Sequence, residues 1–154
     1  MMGTKLNYNQ LPSTVPQYAK VTLTPTQVKN LLALPVEIVP APGDGFMLFP
    51  VFAQITAHLT GYTPYIISGG GDIILQWGSN DILNGNMAAD INTLSQTDNT
   101  LGFIYCSPTQ LINNFAISQF NNQPLILAQN GTTEITTGDA PVDVVVHYLV
   151  IPIS

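Results

Sequence analysis

AKVTLTPTQVKNLLALPVEIVPAPGDGFMLFP, residues 19–50, reads as strand, short helix, strand, turn and long strand in immediate succession. Val21 and Leu23 alternate with Thr22 and Thr24, the period of a half-buried strand. Thr24, Pro25, Thr26 and Gln27 then supply an N-cap, a proline at the first helical position and a glutamine able to close a capping box. Val28, Leu31 and Leu32 share one helical face, and Pro35 ends the run. Val36 to Val39 follows as a brief strand. The PAPGDG segment at 40–45 is a turn, and Phe46 to Thr60 is a long strand expected to bend at Pro50.

Working outward, residues 61–64 turn the chain and the glycine-rich stretch 68–72 is a loop. Ile73 to Trp77 is rich in β-branched and aromatic residues and reads as a strand, followed by a loop from Gly78 to Asn86. Periodicity leaves residues 87–94 open between a weak helix and a strand. Leu101 to Cys106 is a strand. Ser107, Pro108, Thr109 and Gln110 repeat the capping arrangement, which predicts a second short helical turn around 110–114. Pro124 to Gln129 is a strand, Asn130 and Gly131 make a turn, and Val142 to Ile153 is a long alternating strand. Six to eight strands separated by turns predict an all-β, antiparallel sandwich of jelly-roll type with one or two short helices. This domain covers residues 19–154. Residues 1–18 read as an extended arm, punctuated by Pro12 and Pro16, that carries Leu6, Tyr8, Leu11, Val15 and Tyr18 as candidate partner or subunit contacts. Such an arm either lies against a partner or folds back as an edge strand on its own domain.

Composition narrows the function. Charged residues make up 8% of the 154-residue chain, against about 25% in an ordinary globular protein. There are three lysines, no arginine, and a net charge of −6. So few charges with so many apolar groups fit an exterior largely covered by other subunits, or else a monomer kept soluble by its amides. Nucleic acid, gripped through Lys and Arg, is excluded as a partner, and an anionic membrane surface is disfavoured. The opening MMGTKLNYNQLP lacks an apolar signal core, so export is not expected. The apolar stretch 46–60 is broken by Pro50, Gln54, Thr56 and His58, well short of the roughly 20 residues of a membrane span, and a soluble protein is expected. The single Cys106 cannot form an intramolecular disulfide and fits a reducing compartment.

Chemistry-bearing residues are few, and each has a structural reading beside the functional one. His58 and His147, the two histidines, alternate with strand neighbours and read as packed or interfacial groups rather than bases. Cys106 has no cation near it in sequence and reads as a small buried hydrophobe. Asp72, Asp81, Asp90 and Asp98 are paired-carboxylate candidates, but loop aspartates more often cap turns. Asp81, Asn84 and Asn86 offer oxygen ligands without the calcium-loop spacing. Residues 68–72 lack a phosphate-loop lysine. Asn130, Gly131 and Thr132 form a glycosylation sequon that reads better as a turn. Trp77, Tyr62, Tyr65 and Tyr105 are candidates for a sugar-stacking platform, or for core and interface. The expectation is a non-enzymatic chain with no catalytic, cofactor or metal site.

The 19–50 stretch resembles the opening of small β-sandwich virion proteins of tailed bacteriophages, in which a strand leads through a short helix to a Val/Ile pair, a Pro-x-Pro-Gly turn and a long strand. NQPLILAQNGTTEITTGDAPVDVVVHYLVI, residues 122–151, is similar to their closing hairpin. The likeness spans about half the chain and leaves 61–100 unmatched. It implies a capsid decoration (cement) protein, head fibre or tail-associated jelly roll. Such a protein forms a homotrimer on the capsid exterior, is made in the host cytoplasm, needs no cofactor, and binds the major capsid protein or another virion subunit. The alternative it leaves open is a fibre or tail module binding host-surface glycans, with loop aromatics exposed together at one end.

Overall fold

The computed structural model describes residues 15–67, 71–78, 88–90, 94–105 and 117–153. Leu6, Tyr8, Leu11, Asp81, Cys106, the Asn84 and Asn86 pair and the expected helical turn at 110–114 lie outside them.

The chain forms β1 (Gln17–Leu23), α1 (Pro25–Lys29), β2 (Val36–Val39), β3 (Phe46–Ala57), β4 (Asp72–Trp77), β5 (Ala88–Asp90), β6 (Thr100–Tyr105), β7 (Leu125–Gln129) and β8 (Val142–Pro152). The first sheet has the order β1-β8-β3-β6 and the second β2-β7-β4-β5. Every pairing is antiparallel. First pairs with eighth, second with seventh, third with sixth and fourth with fifth, so the chain is one long folded-back ribbon rolled into two layers. That nesting is the eight-stranded jelly roll, the all-β class expected from the alternation of strands and turns.

The strand boundaries follow local chemistry. At α1 both halves of the capping box are made: Thr24 Oγ1 accepts from the Gln27 N–H at 3.3 Å and Gln27 Oε1 accepts from the Thr24 N–H at 2.9 Å. Val28 and Leu31 face the core, whereas Leu32 is only partly covered. β3 bends where expected: Pro50 opposes Tyr148 and Phe52 opposes His147, leaving Val51 as the extra residue of a bulge. Residues 88–90 resolve as strand, paired to β4.

Three expectations are corrected. β1 begins at Gln17, so Gln17 and Tyr18 belong to an edge strand of the domain rather than to the arm. β3 stops at Ala57, and His58 lies just past it with its N–H donating to the Pro141 carbonyl at 3.1 Å. Residues 122–151 do not form a hairpin, because β7 and β8 sit in different sheets. The turn at Asn130 closes on β4 instead: its Oδ1 accepts from the Asp72 N–H at 2.6 Å and its own N–H donates to the Asp72 carbonyl at 3.2 Å. The segment that follows crosses between layers, burying Ile135 and Ala140.

The core fills the space between the sheets. Leu48, Ile55, Val144 and Val146 come from the first, and Ile73, Leu75, Trp77, Leu125 and Leu127 from the second. Trp77 joins the layers, its indole N–H donating to the Leu48 carbonyl at 2.7 Å and its ring meeting Phe120 edge-on at 4.9 Å. Tyr65, also buried, donates its hydroxyl to the Ala140 carbonyl. Burial and, secondarily, the charge of Asp139 push its phenol up to about 12.

Candidate interface on the outer face of the first sheet

β8 is VDVVVHYLVIP, and its inward set Val142, Val144, Val146, Tyr148 and Val150 is buried. The outward set is Asp143, Val145, His147, Leu149 and Ile151, each half-covered. An antiparallel strand with one face in water alternates apolar with polar. Three of these five outward side chains are aliphatic and His147 adds a ring, more apolar surface than a strand with one face in water usually shows.

The neighbouring strands extend that surface. Register aligns Tyr18, His147, Phe52 and Tyr105 in one row across all four strands of the sheet. Within it the Phe52 and His147 rings stack at 4.6 Å and 8°, and Tyr18 lies 6.1 Å from His147. The next row is Lys20, Val145, Gln54 and Phe103, and the one beyond is Thr22, Asp143, Thr56 and Leu101. On the other side of the aromatic row Phe49 stands opposite Leu149. Tyr18 (70%), Leu101 (49%), Phe103 (39%) and Val51 (38%) remain exposed, so this sheet supplies half of the eight large exposed apolar side chains among the described residues.

One corner of the face is polar. Lys20 Nζ lies 2.8 Å from Asp143 Oδ2, His58 Nε2 lies 3.2 Å from the same oxygen, and Thr22 Oγ1 donates to Asp143 Oδ1 at 2.5 Å. The bonds from Lys20, then Thr22, with His58 adding to them, hold the Asp143 carboxyl down at about 2 against the opposing effect of burial. The trio Thr22, Asp143 and His58 resembles a relay only in composition. A nucleophilic hydroxyl must bond the imidazole, whereas Thr22 bonds the carboxylate. The arrangement is an ion-pair network.

The sequence candidates fall out as follows. His147 joins the aromatic row and His58 the ion-pair corner. Asp72 and Asp90 stand opposite each other in the β4–β5 register, while Asp98 is exposed in the segment before β6. The four platform aromatics are not brought together. Trp77 and Tyr65 are each 1% exposed in the core, Tyr62 is exposed in the loop after β3, and Tyr105 occupies the aromatic row by register. Of the arm candidates inside the described residues, Val15 is exposed just before β1 and Tyr18 is part of the face. Among the described residues no three of His, Cys, Asp and Glu gather as metal ligands, and no helix is long and apolar enough to cross a membrane.

Sequence reading missed the row and its neighbours Lys20 and Asp143. The signal was present in β8, whose outward set keeps the aliphatic Val145, Leu149 and Ile151 beside Asp143 and His147. No protein-family profile matches the chain, and no curated protein or solved structure was found to be similar to it.

Proposed function

We propose that this chain is a non-enzymatic structural subunit of a virion, a capsid decoration protein that sits as a homo-oligomer on the outer surface of a bacteriophage head and stabilises it. The observation that carries the reading is the first sheet, whose outer face bears an aromatic row and exposed apolar side chains beside one polar corner, in a chain with 8% charged residues. Such a surface is stable in water when other subunits cover it. The jelly roll agrees with this role, being used in viral capsid proteins, although lectins and cupins share it and fold alone does not choose among them. The chain's acidic balance suits the outside of a DNA-filled shell. The glycan-binding alternative is weakened by the burial of Trp77 and Tyr65, which removes two rings from any stacking platform.

In this reading the domain self-associates and the residues before β1 reach across neighbouring capsid subunits. The test is co-sedimentation with purified phage heads, comparing the full chain with one that begins at Pro16, just before β1. The full chain is expected to pellet with heads and the shortened one to stay in the supernatant while keeping its β-type circular dichroism. Retained attachment of the shortened chain would sink the arm's role, and failure of both would sink the decoration reading.

A further inference from the structure

We infer that the outer face of the first sheet is the surface through which copies of this chain join, with Tyr18, His147 and Phe52 at the centre of the contact. The inference rests on the reading of the chain as an assembly subunit and assigns that subunit's self-contact, a two-fold one that closes a pair of copies.

Charge favours a second copy as the occupant. The chain carries nine acidic residues and a net charge of −6, so two copies repel across most orientations. The four strands of the first sheet contain a single acid, Asp143, and a single lysine, Lys20, and these two pair with each other at 2.8 Å. The other eight acids lie outside these strands, which makes this the face on which like meets like without like-charge contact. A partner chosen by charge would need an uncompensated charge to recognise, and the described residues of these strands offer none. The polar groups also arrive largely satisfied: both Asp143 oxygens are engaged, and Gln54 Nε2 donates to Thr56 Oγ1 at 3.2 Å. A surface that must meet its own copy needs this internal pairing, because the facing copy presents the same groups.

Area agrees. β3 and β8 pair over eleven residues, and β1 and β6 flank them with seven and six. At about 3.4 Å per residue and 4.8 Å between strands the face covers about 600 Å². Two copies then bury about 1,200 Å² together, the lower edge of the range for specific protein–protein interfaces. The stacked rings lie near the middle of that face, where aromatic side chains contribute most to association.

The test is sedimentation velocity over a concentration series on the full chain, on Phe52→Lys, on Leu101→Lys and on Glu37→Lys, a charge control on the second sheet. The unsubstituted chain and Glu37→Lys are expected to form the same oligomer. Phe52→Lys, which places an unpaired ammonium at the centre, is expected to weaken association about 100-fold, and Leu101→Lys, nearer the edge, about 10-fold. Should Phe52→Lys lose its circular dichroism, Leu101→Lys decides, since its parent side chain is 49% exposed and contributes little to the fold. Undiminished association of folded Phe52→Lys, or of Leu101→Lys where Phe52→Lys does not fold, overturns the assignment of this face and leaves the subunit reading standing. A monomeric full chain at all concentrations overturns the self-contact itself, and head co-sedimentation then reports separately on the subunit reading.

Discussion

Asp143 is a carboxylate placed where its ionised form gains and its protonated form gains nothing. Lys20, Thr22 and His58 all bond it, and its side chain keeps 20% of its surface in water. Because its folded-state pKa of about 2 lies below the ordinary 3.8, the stabilisation is fully present above pH 4 and is lost as pH falls from about 4 towards 2. The pair faces solvent, so the amount is about 1 kcal/mol rather than the full value of the shift. Asp143→Asn is therefore expected to lower stability by about 1 kcal/mol at pH 7 and by well under half of that at pH 2, as read from urea unfolding at both pH values. A constant difference across that range would show that packing, not charge, sets the effect. Gly138 shows the opposite kind of constraint. Its φ is +79°, and a Cβ there would stand 2.2 Å from the Tyr65 ring, so the residue is fixed by close approach as much as by conformation.

At the scale of elements the Val51 bulge lets one strand serve two registers. Pro50 faces inward and Phe52 outward, against the successive β8 residues Tyr148 and His147, so deleting Val51 would leave every other β3 residue on its present face. Deletion of Val51 is expected to keep a cooperative transition with Tm changed by no more than about 4 °C, the effect of about 1 kcal/mol in a chain of this size. Deletion of Ala53 would instead draw Phe52 inward to the place of a residue with 0% exposure, and is expected to abolish the transition in thermal circular dichroism. This division also explains what could be read from the chain. The capping box at Thr24 and Gln27, the bend at Pro50 and most strand spans were legible because each depends on neighbours in sequence. The aromatic row was not, because Tyr18, His147, Phe52 and Tyr105 meet through pairing of strands far apart in the chain. The supposed hairpin at 122–151 failed for the same reason: Asn130 finds its partner in Asp72, a long-range contact that local turn chemistry does not reveal. The apolar excess of β8 was visible in the letters, but its meaning depended on knowing which set faced the core.

At the scale of the whole molecule, nesting makes nearly all stabilising contacts long-range. Leu23 meets Val142 and Gln17 meets Tyr148, and β8 lies between β1 and β3 rather than at an edge. Such topology folds slowly, so refolding from denaturant is expected in milliseconds to seconds by stopped-flow Trp77 fluorescence, with a microsecond phase accounting for the full amplitude as the overturning result. The position of β8 has a further consequence during biosynthesis. A ribosome adds roughly 5–20 residues per second, and until residues 142–152 have emerged β1 has no partner in its sheet and β3 is bare on one flank. The second sheet can gather from β2, β4, β5 and β7 beforehand, but the first cannot close. For several seconds the nascent chain therefore presents unpaired strand edges and the same ring-bearing segments that later line the outer face. A holding chaperone would find its targets there, and crowding of many nascent copies on one message would favour strand exchange between them before any copy is complete.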